Sequence, residues 1–213
     1  TANYNKVDSV EKTQIIDGTA RFVDDHTVAV DTAEGEKLFK ADRIFINTGA
    51  TPFVPPVEGL TIGGAIHTSE TIMNLEEYPE SLVIIGSGFI GLEFAATYAQ
   101  FGTKVTVVDV IDTFLPREDE DVAQAVKEQL EALGVTFNLG VQLKAVHQEG
   151  GKAVVEATTR EGAPVAFTTD AVLVATGRRA NVQGLDLDKA GVELTERGAI
   201  KVNEFLQTNV PHI

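Results

Sequence analysis

The stretch that most constrains this chain is Ser81–Asp109, SLVIIGSGFIGLEFAATYAQFGTKVTVVD. Leu82-Val83-Ile84-Ile85 is a short apolar run, suited to a strand buried on both faces. Gly86-Ser87-Gly88-Phe89-Ile90-Gly91 follows directly. A helical segment then runs from Phe89 to about Phe101, stops at Gly102, and gives way to a second apolar strand, Val105–Val108, that ends at Asp109. In a strand, glycine turn, helix and strand closed by an acid, each part has a job in binding a dinucleotide. Gly86 permits the tight turn, Gly88 leaves room for a pyrophosphate against the backbone, and Gly91 lets helix and strand pack closely. The first-turn N–H groups and the helix dipole face the phosphates, and Asp109 can accept from the adenine-ribose hydroxyls. Glycine turns are common, and the same residues would serve a plain βαβ turn with glycines used only for packing. The strand before, the helix after and an acid about 20 residues on supply the context that the motif requires.

The rest of the composition narrows the function classes. The 213 residues suffice for one large or two modest domains. A formal charge of −15 with no offsetting basic patch disfavours nucleic acid and anionic membranes as partners. No apolar run approaches the ~20 residues of a membrane span, and no secretory pattern stands at Thr1, so the expected compartment is cytoplasmic. There is no Cys, which excludes disulfides, thiolate metal sites and a cysteine nucleophile within these residues. His26, His67, His147 and His212 are scattered without ligand spacing, so no metal site is expected. No Gly-x-Ser-x-Gly elbow suggests hydrolysis.

Taken in order, Thr1–Thr13 is polar and uninformative. Residues 18–22, 27–31 and 37–41 read as a three-stranded meander, punctuated by Asp24-Asp25-His26 and Ala33-Glu34-Gly35. Arg43–Ile46 reads as an apolar strand running into Asn47-Thr48-Gly49-Ala50, followed by an extended crossover through Pro52, Pro55 and Pro56. Thr68-Ser69 can cap a short helix over about 70–75. After Asp109, an acidic run leads into a helix whose apolar face is Val122, Ala125, Val126, Leu130 and Leu133. Val135–Phe137 is a third parallel strand. Residues 143–147, 153–158 and 165–168 form a second meander, and Ala171–Val174 returns to the sheet and runs into Ala175-Thr176-Gly177-Arg178. Residues 193–195, 199–202 and 205–208 look extended around a turn at Glu196-Arg197-Gly198. The order of meander, apolar strand and Thr-Gly occurs twice, at 18–49 and 143–177, and suggests two related nucleotide-binding domains, one of them incomplete.

Asn47–Ala50, Pro79 with Val83–Glu93, Val105–Asp109, Ala175–Arg178 and Leu206-Gln207-Thr208 together resemble the pyridine nucleotide–disulfide oxidoreductases, the flavoenzyme family of dihydrolipoamide dehydrogenase, glutathione reductase and mercuric reductase. Residues 44–50, 114–119 and 196–200 look closest to its mercuric-reductase-like branch. The resemblance implies an α/β fold of the FAD/NAD(P)-binding three-layer ββα type, a Rossmann-like parallel sheet with a β meander. It divides the chain into a partial FAD-binding domain at 1–76, an NAD(P)-binding domain at 77–181, and a returning FAD-domain piece at 182–213. It also implies elements not found in these residues: a first GxGxxG for FAD, a redox Cys pair, a Gly-Asp flavin motif and a C-terminal dimerisation domain carrying a His acid/base. The chain is therefore expected to be a central fragment, inactive alone, from a homodimeric parent.

The same resemblance assigns roles. Gly86, Gly88 and Gly91 would lie on the NAD(P) pyrophosphate, with Ser87, Phe89 and Ile90 supplying backbone. Phe89 would stand beside the nicotinamide, or else pack in the core as part of the first helical turn. Glu93 would lie near nicotinamide and flavin, although a Glu in a first turn is also favoured by the dipole. Leu143 would give a backbone contact to the adenine, and Gly177 a close approach near the nicotinamide. Thr48, Gly49, Ala50 and the backbone near Ala20 match FAD contacts. NADH is preferred to NADPH, because no Arg or Lys lies between Asp109 and Arg117 to hold a 2′-phosphate and because Gly91 stands where NADPH members often have Ala. The parent chemistry would be hydride transfer from NADH to FAD, then electron passage to a Cys pair or substrate. Two other readings stand beside it: a non-catalytic nucleotide-binding or sensing module, and a flavin-free Rossmann dehydrogenase. The Tyr-x-x-x-Lys pair of the short-chain dehydrogenases, one form of the latter, is absent.

Overall fold

The structure, a computed structural model, describes residues 6, 7 and 9–213; residues 1–5 and 8 of the polar opening stretch lie outside it. It divides into two compact units, one built from 1–50 with 179–213 and the other from 51–178.

The second unit is organised on a five-stranded parallel sheet. Its strands are β5 (Ile66–Thr68), β6 (Ser81–Ile85), β7 (Lys104–Asp109), β8 (Thr136–Leu139) and β12 (Ala171–Val174), in the spatial order β5-β12-β6-β7-β8. Each neighbouring pair is parallel; Leu82 faces both Val105 and Ala171 in register. Parallel strands need crossovers, and helices α1 (Phe89–Gln100) and α2 (Glu120–Ala132) supply them between β6, β7 and β8. The third layer is an antiparallel meander of β9 (Gln142–Glu149), β10 (Lys152–Thr158) and β11 (Pro164–Thr169).

The period of two along β6 decides what each face packs against. Leu82 and Ile84 join Leu92, Ala95 and Tyr98 of α1 and Leu130 of α2 in one apolar cluster. Val83 and Ile85 point the other way, into a cluster with Val146, Val155 and Ala157 of the meander. Helices, sheet and meander therefore make three layers, the expected ββα form. Burial on both faces explains why β6 and β12 read as continuous apolar runs.

In the first unit, β1 (Thr19–Phe22), β2 (Thr27–Thr32) and β3 (Gly35–Lys40) form the expected antiparallel meander. Its core gathers Phe22 with Leu187, Ala190 and Val192 from the far end of the chain. Of the extended pieces expected around Gly198, 193–195 and 199–202 meet in a bridge between Leu194 and Ile200, whereas 205–208 is not extended: the chain turns there, with Leu206 at φ +62°. Strands β4 (Ala50–Pro52) and β13 (Arg178–Ala180), where the chain passes from one unit to the other, belong to neither meander and form a two-stranded sheet of their own.

Three local expectations are corrected. Arg43–Ile46 forms no strand, and Phe45 is 90% exposed. A buried parallel strand needs partners for its backbone, and among the described residues none runs alongside; Ile44 N–H bonds instead to the His212 carbonyl, at 3.0 Å. The helix expected over 70–75 is a single 3₁₀ turn, Ile72–Asn74, with no side-chain cap on its first bond. The inner face of α2 is Ala123, Val126 and Leu130, while Val122, Ala125 and Leu133 are exposed. Residues 51–76 contribute β5 to the sheet of the second unit, where Ile66 pairs with Val172. No helix among the described residues is long and apolar enough to cross a membrane.

Candidate functional site

Strand β6 ends at Ile85, and the chain turns at Gly86 with φ +111°. Only glycine fits there, because a Cβ would come within 2.5 Å of the Ala175 carbonyl oxygen at the end of β12. Gly91 is closed for a different reason: its Cβ would collide with the Gly86 carbonyl, so α1 packs against the turn without intervening side chain. Gly88 differs from both. It is exposed, has an ordinary φ of −77°, and a Cβ there would meet nothing within 4 Å.

Gly88 caps α1, and the first bond of the helix runs from Leu92 N–H to the Gly88 carbonyl at 3.0 Å. The N–H groups of Phe89, Ile90 and Gly91 thus have no intrahelical acceptor. Gly88, Phe89 and Ile90 line a cleft of about 720 Å³ at the carboxyl ends of β6, β7 and β12, together with Asp109, Leu143 and Gly177. This volume suits a small-molecule or cofactor site. It lies where the chain order reverses: β7 and β8 follow on one side of β6, and β12 returns on the other.

The cleft walls are fixed by long-range bonds. Thr176 Oγ1 donates to the Phe53 carbonyl at 2.7 Å, and Phe53 N–H to the Gly177 carbonyl at 2.9 Å. Leu143 pairs with Ala157, and the register skips Lys144, a bulge that bends β9 beside the cleft.

Asp109 is held from two sides. Its Oδ2 accepts from Ser87 N–H at 2.6 Å and from Ser87 Oγ at 2.7 Å, and its Oδ1 accepts from Ile111 N–H at 3.0 Å. Ser87 itself is buried. Its N–H is therefore committed to Asp109, and the backbone donors left facing the cleft belong to the turn residues that follow.

The other expected residues fall as follows. Phe89 is 63% exposed and lines the cleft, which removes its core-packing alternative. Glu93 is exposed and is the fifth residue of α1, so it lies beyond the first turn, which contains no acid. It is not among the residues lining the cleft. Ala20, Thr48, Gly49 and Ala50 are exposed in the first unit, where Ala20 pairs with Val30 and the Gly49 carbonyl accepts from Asn181 N–H at 3.0 Å.

Arg117 also lines the cleft, although it lies well past Asp109 in sequence. Leu115, with φ +44° and its side chain buried, turns the chain back ahead of it. A left-handed leucine is rare, and no local sequence signal marks it.

Two histidines read as scattered are brought together. In the first unit the His26 and His212 rings stack with centroids 3.9 Å apart and planes within 1°, beside Asp25. Each ring places one nitrogen 2.8 Å from a backbone carbonyl, that of Ala41 or of Asp25. One potential ligand atom from each of Asp25, His26 and His212 lies within 4.8 Å of the others, a grouping that the sequence spacing did not suggest.

The cleft has the parts that a dinucleotide requires: a bare backbone position, helix N–H donors without acceptors, and a carboxylate about 20 residues on. A family model described as pyridine nucleotide-disulphide oxidoreductase matches residues 1–213. Similar curated proteins include the probable pyridine nucleotide-disulfide oxidoreductase RclA of Escherichia coli strain K12, 36% identical over 99% of this chain and 47% of its own length. Another is the dihydrolipoyl dehydrogenase of Bacillus subtilis strain 168, 38% identical over 94% of this chain and 43% of its own. Among solved structures, the HOCl-induced flavoprotein disulfide reductase RclA from Escherichia coli matches with a TM-score of 0.88 and 34% identity, covering 99% of this chain and 47% of that one. Its Cu(II) complex matches with a TM-score of 0.90 at the same identity and coverage. The chain thus spans about half the length of these relatives. Turn, cleft, three-layer fold and full-length match agree: the chain belongs to the pyridine nucleotide-disulphide oxidoreductases, a family of flavin-dependent oxidoreductases for which FAD is the expected flavin.

Proposed function

We propose that the cleft of the second unit is the reductant's site, taking NADH for a flavin-dependent oxidoreductase of which this chain is the central portion. The observation that carries this reading is the contrast among three glycines in one turn. Gly86 and Gly91 are closed by neighbouring backbone, whereas Gly88 opens onto the cleft beside the free N–H groups of α1. Packing alone requires the first two glycines and leaves the third unexplained; a pyrophosphate drawn against the backbone accounts for it.

In this reading Gly88, Phe89 and Ile90 hold the pyrophosphate, Asp109 reads the adenine ribose, and Leu143 and Gly177 border the adenine and nicotinamide ends. The nucleotide-binding domain, expected at 77–181, also takes in 51–76, whose strand β5 pairs within its sheet; residues 1–50 and 182–213 would be parts of the FAD-binding domain, where Ala20 and Thr48–Ala50 would meet the flavin. NADH is preferred to NADPH because the Asp109 carboxylate repels a 2′-phosphate; Arg117 is the cation on the cleft wall that opposes this preference. With no thiol among the 213 residues, the chain alone binds the reductant without passing electrons to a disulfide. The longer protein would act as a cytoplasmic homodimer.

Titration of the chain with NADH, followed by nicotinamide fluorescence, should saturate, and NADPH should bind more weakly. Asp109→Ala should raise the NADH Kd by about tenfold, the loss of a hydrogen bond to a charged group. No saturation at millimolar NADH would remove the site. Steady NADH oxidation by the chain alone would overturn the claim that it lacks turnover.

A further inference from the structure

Asp109 enters the cleft with most of its acceptor capacity already used. An ionised carboxylate offers about four lone-pair sites. Ser87 N–H and Ser87 Oγ–H occupy both on Oδ2, at 2.6 and 2.7 Å, and Ile111 N–H occupies one on Oδ1, at 3.0 Å. One acceptor position remains, on Oδ1. A carboxylate with both oxygens open could take the two vicinal hydroxyls of a ribose, one on each. Ser87 is 6% exposed, which leaves its hydroxyl little room to turn away to water.

We infer that Ser87 is a positioning residue that limits Asp109 to a single ribose hydroxyl, so that the site reads one of the two adenosine hydroxyls and ignores the other. The inference rests on the nucleotide reading above and adds a specificity that the glycine turn and the acid do not by themselves imply. Ser87 acts through Asp109 and need not touch the nucleotide. Replacing it with Ala removes the Oγ–H donor, keeps the backbone N–H donor, and frees one acceptor on Oδ2 for the second hydroxyl.

The test compares NADH with its forms lacking the 2′- or the 3′-hydroxyl of the adenosine ribose, titrated against the whole chain and against Ser87→Ala. For the unaltered chain, one deoxy form should bind about tenfold more weakly than NADH, and the other within about twofold. For Ser87→Ala, both should bind about tenfold more weakly than NADH does to the same variant. A merely structural role for Ser87 would weaken all three ligands alike and leave the pattern of the unaltered chain. That result overturns the inference. So does equal loss for both deoxy forms in the unaltered chain, or loss for neither, a measurement that does not depend on any variant folding. If NADH itself fails to bind the unaltered chain, the proposed function fails and this inference with it; if NADH binds and the deoxy forms do not separate, only the inference fails.

Discussion

At the scale of single residues, the glycines of one turn have separable jobs, and substitution should separate them. Gly91→Ala places a methyl against the Gly86 carbonyl, and a backbone oxygen cannot swing aside as a side chain can. Helix α1 must then move off the sheet, at a cost of about 3 kcal/mol, which lowers Tm by roughly 10 °C for a domain of this size. Gly88→Ala meets nothing within 4 Å and keeps an ordinary φ. Its stability should stay within about 1 kcal/mol of the parent, while NADH binding is lost because the methyl occupies the position left for the pyrophosphate. Thermal melts and NADH titrations of the two variants check this. A Gly88→Ala protein that binds NADH normally would leave the open glycine without a purpose. The need for glycine at Gly86 and Gly91 was legible in the sequence. The commitment of Ser87 N–H to Asp109 was not, because it depends on the side-chain rotamer of a residue on the next strand.

At the scale of elements, the end of the sheet away from the cleft is tied by one carboxylate. Asp170, just before β12, accepts from Ser81 N–H at 2.9 Å and Ser81 Oγ at 2.5 Å at the start of β6, and pairs with Lys152 Nζ of β10 at 2.8 Å. The bond from Lys152, then that from Ser81, holds the Asp170 carboxyl below the usual carboxylate range. A depressed folded pKa means that, between the two pKa values, the unfolded chain binds more protons. The stabilisation is complete above the unfolded value, about 3.9, and is lost as pH falls through the lower folded value. Asp170→Asn should therefore cost about 2 kcal/mol near neutrality, flatten the loss of stability below about pH 4, and leave NADH affinity unchanged at the opposite end of the strands. Urea midpoints from pH 7 to pH 3 test this; equal acid sensitivity in parent and variant would remove Asp170 as the tie. His67 on β5 adds a slope of the same sign. Burial lowers its pKa, so stability declines as pH falls below the unfolded value near 6.5.

At the scale of the molecule, the residues lining the cleft and both apolar clusters of the parallel sheet lie within 51–178. The first unit instead closes its core with residues from both ends of the chain, Phe22 against Leu187, Ala190 and Val192. Residues 51–178 produced alone should fold with mixed α/β circular dichroism and bind NADH within about threefold of the whole chain, a difference under about 1 kcal/mol. A piece that stays unfolded would show that the sheet's own cores are insufficient.

What could be read from the sequence was local. Glycine sterics, alternation along a strand and the stop at Gly102 act over a few residues, so the strand–turn–helix–strand unit and both meanders followed from the order of residues, while the three-layer arrangement was expected only from the family resemblance. Arg43–Ile46 shows the limit: an apolar run states that burial is favourable but not whether a neighbouring strand exists, and Phe45 remains 90% exposed. Arg117 on the cleft wall, His26 against His212, and β5 beside β12 join parts distant in sequence. Such contacts carry no local period, because they are selected by how whole layers stack. The sequence by itself determined that a tight glycine turn between strand and helix would form at Gly86–Gly91; only the tertiary structure decided that Ser87 would hold the acid and that Gly88 alone of the three glycines would face open space, since both depend on which backbone the folded sheet brings alongside.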